Sequence, residues 1–250
     1  MRKKISVLLI IVGITLIVLT VFQYYKVNNV YTKLRSNVVN EETMKKSNDK
    51  REKVIDWNKL KAINENIVAW LYIPGTGVDY PVIKATDNSF YLNHDIYGKS
   101  SIYGSIYLDQ RYYQMKDINE ADNIIIYGHN MNSGAMFGNL DLYADETYYQ
   151  EHPFAYLQTE DSIQEYRIVT VLKADRNLFP FQQKLADAEA VQEYLKEAKQ
   201  REVFETGDDY LKCIYDKVLT LVTCSYEWSG ARNIVLAVPV SGAVWSQKCS

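Results

Sequence analysis

Apolar residues fall into three regimes along the chain. Ile5 to Phe22 is an 18-residue run without charge, interrupted only by Ser6, Gly13, Thr15 and Thr20. As a helix it spans about 27 Å at ~1.5 Å per residue, close to the ~30 Å of a bilayer's hydrocarbon core. Residues 23–52 are polar, rich in Lys and Asn, and free of Pro and Gly, which suits a stalk. From residue 53 onward the apolar residues gather into short segments bounded by turn residues. Residues 68–73, 78–83, 105–109, 123–127, 154–158, 164–174, 217–224 and 233–240 read as eight strands, with Pro81 marking the second as an edge. Helical spacing predicts helices over 56–69, 137–149 and 187–204, the last capped by Asp187. Eight short strands with isolated helices predict a closed or nearly closed β-barrel in one domain.

Charge divides the chain at the same place. Residues 1–52 carry 10 basic and 4 acidic side chains, net +6, whereas the remainder carries 18 and 27, net −9. Arg2, Lys3 and Lys4 precede the apolar run, so its N-terminus is expected in the cytoplasm and the body outside. The competing reading is a cleaved signal peptide, whose apolar core is ~7–15 residues with small residues at the cleavage site. Here the run is longer and is followed by the bulky Val21-Phe22-Gln23-Tyr24-Tyr25, which favours an uncleaved anchor. With 47% apolar and 24% charged residues the chain is not disordered, and three cysteines do not make a disulfide scaffold. The near-neutral overall balance, net −3, argues against nucleic acid, which usually needs a basic face.

Candidate chemistry is sparse. Cys213 lies among Leu211, Ile214 and Tyr215 and reads as a buried, inert thiol, and Cys249 as a free thiol in the tail. Cys224 ends an apolar strand and meets the polar loop Ser225-Tyr-Glu-Trp-Ser-Gly230, where a nucleophile could be presented. A reactive cysteine needs a base or an imidazolium partner, because the thiolate is the attacking form. Of the three histidines, His94 and His152 sit in loop or turn contexts. His129 follows Ile124-Ile-Ile-Tyr127 through Gly128 and gains a rim position. Arg232 heads the strand after Cys224. If those strands pair antiparallel, its guanidinium returns beside the thiol, where it can stabilise a carbonyl gaining negative charge. A hydrogen-bonded loop histidine and a surface ion pair remain the plainer readings of His129 and Arg232.

Taken together, these residues resemble the sortase family. Thr220-Leu-Val-Thr-Cys224 is similar to its T-L-x-T-C signature, followed by a loop and then Arg232, and Tyr127-Gly-His-Asn130 is similar to its histidine motif. Class B is resembled most. Trp70 to Val82 looks like the class B opening, as does Gly128-His-Asn-Met131 leading to Met136-Phe137. The Asp187–Phe204 helix resembles the one inserted in that class, and the chain has no Asp-Pro dipeptide of a class C lid.

The resemblance implies a mainly β, eight-stranded sortase-type barrel. It would carry an N-terminal helix, a helix after the histidine motif, a longer helix before the last two strands, and an N-terminal transmembrane helix. It divides the chain into a cytoplasmic tail (1–4), a signal-anchor (5–22), a juxtamembrane stalk (23–52), a catalytic domain (53–242) and a C-terminal tail (243–250). Cys224 becomes the nucleophile, His129 the general acid/base and Arg232 the substrate-orienting, oxyanion-stabilising cation, with Thr223, Asn130 and Glu227 as substrate-binding candidates. The implied reaction cleaves a C-terminal Pro-x-Thr-(Gly/Asn) sorting signal on a secreted surface protein through a thioacyl enzyme. The product is then transferred to an amine of peptidoglycan or a lipid-linked precursor. No cofactor and no metal are implied, and the cytoplasmic membrane is the expected location. A pilus-assembly sortase, a secreted cysteine protease and a non-catalytic wall-binding barrel stay open as alternatives.

Overall fold

The structure is a computed structural model and describes residues 2–39, 53–175, 179, 181–207, 209–224 and 230–240. The chain divides into two compact units, one built from residues 1–48 and 53–56 and the other from 49–52 and 57–250. In the first, α1 (Arg2–Val38) is a single helix of 37 residues, so the helix expected over the apolar run continues well past it. Its end is tied down locally, where Val39 bridges Ile55 and the Asp56 amide donates to Val38 O. Among the described residues no helix is long and apolar enough to cross a membrane, the described side chains over the apolar run being 6, 9–19, 21 and 22.

The second unit is the barrel. Its strands are β1 (Ile67–Tyr72), β2 (Asp79–Ile83), β3 (Ile106–Leu108), β4 (Asn123–Gly128), β5 (Phe154–Gln158), β6 (Ile163–Asp175), β7 (Val218–Cys224) and β8 (Ala231–Pro239). They close in the order β1-β2-β3-β4-β7-β8-β6-β5, and β5 returns to pair with β1. Each expected strand is present, but β2 is not an edge: it pairs with both β1 and β3. Pro81 is tolerated for a geometric reason. Ile73 N–H donates to Val78 O, so the two-residue alternation of antiparallel pairs makes Trp70–Pro81 a pair that exchanges no backbone bonds. Pairing with β3 begins only at Val82.

The helices depart further from expectation. α2 (Trp57–Ile63) is shorter than the predicted 56–69, because the chain is already extended at Ile67. The span 137–149 is not one helix but a 3-10 segment, Gly138–Ala144, followed by α3 (Glu146–Glu151). Gly138 lies so close to Met131 that a Cβ there would sit 2.1 Å from the Met131 carbonyl oxygen. The segment therefore packs down on the preceding loop instead of extending it. Asp145 then adopts an extended backbone and caps α3 by accepting from Tyr148 N. α4 (Ala188–Lys199) is capped by Asp187, as expected, but stops before 204. Its continuation is recruited by β6: Glu202 bridges Leu172, and the Val203 amide donates to Val171 O.

Val191, Tyr194, Leu195 and Ala198 form the buried face of α4, and the Tyr194 hydroxyl lies 3.4 Å from that of Thr220 on β7. Burying side chains the size of Val191 and Leu195 is worth roughly 1.5–3 kcal/mol each. β4 and β8 are buried along most of their length. Strands covered on both faces read as continuous apolar runs rather than alternating ones, which is how they look in the sequence.

Candidate active site

Three neighbouring strands present the candidate residues at one end of the barrel. β4 and β7 run parallel with Gly128 opposite Thr223, so the chain leaves them at His129 and Cys224 side by side. β7 and β8 run antiparallel with Cys224 directly opposite Arg232. The expectation that the last two strands pair antiparallel is therefore met by the register. Gly128 makes the close approach possible. A Cβ there would lie 2.5 Å from Ile106 Cδ1 and 2.8 Å from the Phe137 ring, both already in place.

His129, Thr223 and Arg232 line one cleft of about 370 Å³, together with Leu92, Tyr107, Tyr127 and Phe181. His129 is held from two sides. Its Nε2 lies 2.6 Å from Leu92 O, and its own carbonyl accepts from Phe137 N at 2.9 Å. A backbone carbonyl only accepts, so Nε2 is the nitrogen that donates to it and carries the proton. The half-buried Arg232 donates through Nη1 to Ala231 O at 2.8 Å. Among the described residues it has no carboxylate partner, which leaves the rest of its planar donor fork for a ligand. The Thr223 residue is 1% exposed, and its hydroxyl has no partner among the described residues.

The other candidates fall elsewhere. Asn130 is buried and does not line the cleft, because its amide donates to Asp141 Oδ2 at 2.6 Å. Glu227 and Cys249 lie outside the described residues, as does the side chain of Cys224. Cys213 corrects the sequence reading: it is disulfide-bonded, not a free thiol. Burial alone could not distinguish the two, because a half-cystine and a free buried cysteine occupy similar surroundings. No group of metal-ligating side chains is found among the described residues.

A polar network behind the cleft was not anticipated. Asp109 is 3% exposed and is gripped by Arg111, with Nε–Oδ1 at 2.7 Å and Nη2–Oδ2 at 3.0 Å. Asp109 Oδ2 also accepts from the Tyr127 hydroxyl at 3.1 Å and from Asn88 Nδ2 at 3.2 Å. Arg111 Nη1 reaches on to Phe181 O at 2.8 Å. Burial opposes the Asp109 charge, but the hydrogen bonds and charge of Arg111, with the Tyr127 hydroxyl, outweigh it and hold the carboxyl below its usual range. Burial, and then the Asp109 charge, push the Tyr127 phenol far above its usual range, so it stays a donor. The sequence signal for this network was an Asp ending a short strand with Arg two residues on.

Comparison with known proteins decides what this cleft belongs to. The sortase-domain family matches residues 71–240, more than half of the chain. The chain belongs to the sortase family. Its relatives are class B sortases. Sortase B of Listeria monocytogenes is 31% identical over 170 residues, covering 67% of this chain and 66% of that protein. Sortase B of Staphylococcus aureus is 25% identical over 236 residues, covering 92% and 95%. Among solved structures, Clostridium perfringens sortase B is 29% identical with a TM-score of 0.65, covering 74% of this chain and all of that one. A Staphylococcus aureus sortase B–substrate complex is 26% identical with a TM-score of 0.64, covering 73% and 83%. This sortase shares their eight-stranded barrel, and its class is that of cysteine transpeptidases.

Proposed function

We propose that this sortase cleaves a C-terminal Pro-x-Thr-(Gly/Asn)-type sorting signal and transfers the acyl product to an amine of peptidoglycan or its lipid-linked precursor. Cys224 passes its thiol proton to His129 Nδ1 and attacks the backbone carbonyl after Thr as a thiolate. Arg232 donates hydrogen bonds to the oxyanion that develops. His129 gives a proton to the leaving amine through Nδ1, leaving a thioacyl enzyme, and later removes one from the incoming amine. The Thr223 backbone, or its hydroxyl, which has no partner among the described residues, is available to the bound peptide. The observation that carries this reading is the register of β4, β7 and β8. It brings His129, the residue after β4, beside Cys224, the last residue of β7, and sets Arg232 opposite Cys224, and directly opposed residues share a sheet face.

The proposal includes an uncleaved N-terminal anchor, with the barrel outside the cytoplasmic membrane. Its support is the 18-residue charge-free run behind Arg2, Lys3 and Lys4 and the exposure of its apolar side chains, with Leu9, Ile17 and Phe22 each at 65%.

The test uses the full chain in detergent with a fluorescent sorting peptide, with and without an amine acceptor, read by mass spectrometry. An acyl–amine product that disappears in Cys224→Ala supports the reading. Free acid alone at saturating acceptor would make the chain a protease, and turnover by Cys224→Ala would remove the mechanism.

A further inference from the structure

β4 and β8 are not neighbours in the barrel, because β7 lies between them. A second link nevertheless joins them at the cleft. Asn130 directly follows His129, and Asn233 directly follows Arg232; each is 3% exposed. Asn130 Nδ2 donates to Asp141 Oδ2 at 2.6 Å, and Asn233 Nδ2 donates to Asp141 Oδ1. One planar carboxylate thus accepts two buried amides, one from the loop that follows β4 and one from β8. Asn233 is also directly opposite Thr223, the residue before Cys224. Asp141 itself is exposed and belongs to the 3-10 segment after the His129 loop. That loop is closed on itself by the Phe137–His129 backbone bond and the Asn130–Met136 bridge.

We propose that Asp141 is a positioning residue, a brace that fixes His129 relative to Arg232 through Asn130 and Asn233. The inference rests on the reading of His129 and Arg232 as catalytic residues. A carboxylate is suited to the task because both of its oxygens accept, while each asparagine must turn its donor NH₂ inward. Asparagine at 141 would offer one acceptor and set an NH₂ against another. Surface acids are ordinarily met by water, so two buried donors converging on one carboxylate mark a built contact.

The experiment measures kcat and KM for peptide cleavage with an amine acceptor, using full-length protein in detergent. Variants are Asp141→Ala, Asp141→Asn, Asn130→Ala, Asn233→Ala and the double asparagine variant, each checked by circular dichroism and melting. Displacing a catalytic group by ~1 Å can cost about 100-fold in rate. Asp141→Ala is therefore expected to lose about 10–100-fold in kcat with KM held within about twofold. The double variant should lose no more than Asp141→Ala, since both arms end on the same carboxylate. A folded Asp141→Ala enzyme within about threefold of wild type, far short of that displacement cost, overturns the brace. So does a loss confined to KM. If Asp141→Ala does not fold, the near-isosteric Asp141→Asn carries the same criteria. His129→Ala and Arg232→Ala run alongside: near-wild-type turnover in either defeats the underlying reading, whereas large rate losses in both beside a near-wild-type Asp141→Ala defeat the brace alone.

Discussion

Asp109 and Asp141 both stand behind the cleft, and they are held in opposite ways. Asp109 is almost fully buried and meets a cation, Arg111, through two hydrogen bonds. Asp141 is exposed and meets two neutral amides. A buried carboxylate must be compensated or the fold suffers. An exposed one loses little if its partners go, so what it contributes is geometry. The difference teaches that a carboxylate near an active site can serve stability or positioning, and that its partners distinguish the two.

The most severe test of that division is Arg111→Ala. Arg111 is itself 39% exposed, so leaving Asp109 uncompensated should cost at or below the lower end of the ~3–5 kcal/mol that breaking a fully buried pair costs. Chemical denaturation should show a loss of that size, and a change below about 1 kcal/mol, the worth of a surface pair, would erase the contrast with Asp141. Next comes Arg232→Ala, which sets the scale for rate effects. Loss of one oxyanion donor costs ~10²–10³ in kcat, or about 2.7–4 kcal/mol. Arg232→Lys should fall between, keeping the charge but losing the planar fork. A folded Arg232→Ala enzyme within about fivefold of wild type, less than one such donor should cost, removes that assignment.

A smaller effect separates the two acids by pH. The Asp109 carboxyl is held below its usual range, so its contribution is complete above the unfolded value of ~3.9 and is lost as pH falls through the folded value. The wild-type melting temperature should therefore fall below about pH 4 more steeply than that of Asp109→Asn. Parallel curves would show that Asp109 is not a source of acid sensitivity. The smallest effect is expected at Asp145, which caps α3 directly after the segment bearing Asp141. Asp145→Ala should cost about 1 kcal/mol of stability and leave kcat unchanged. A rate loss there would mean that any loosening of this region, and not the brace itself, reaches the cleft.

The eight strands were legible because each is a short apolar run between turn residues, and nothing later in the chain disturbs that pattern. Pro81 misled because its missing donor matters only where a neighbour needs one, and register lies beyond local sequence. Residues 137–149 misled because helical spacing is shared by a 3-10 segment and a short helix, and the contact of Gly138 with Met131 is tertiary. At the cleft, Cys224, His129 and Arg232 stood out as reactive types at strand ends. Asn233 is 92 residues from Asp141, and its side chain gives no sign of which acid it meets. Cys213 gave no sign of a bond, since three cysteines do not specify a pairing.

The parallel ladder of β4 and β7 also fixes when the site comes into being. Thr220 lies opposite Ile125, 95 residues earlier in the chain, and closing so long a loop is entropically costly and slow. β7 and β8 are also the last strands synthesised. A nascent chain therefore carries His129 long before it has a cysteine at 224 or an arginine at 232, and the ladder that sets His129 beside Cys224 forms only once β7 is made. His129, Cys224 and Arg232 are thus brought together only when the last two strands of the barrel pair with the rest.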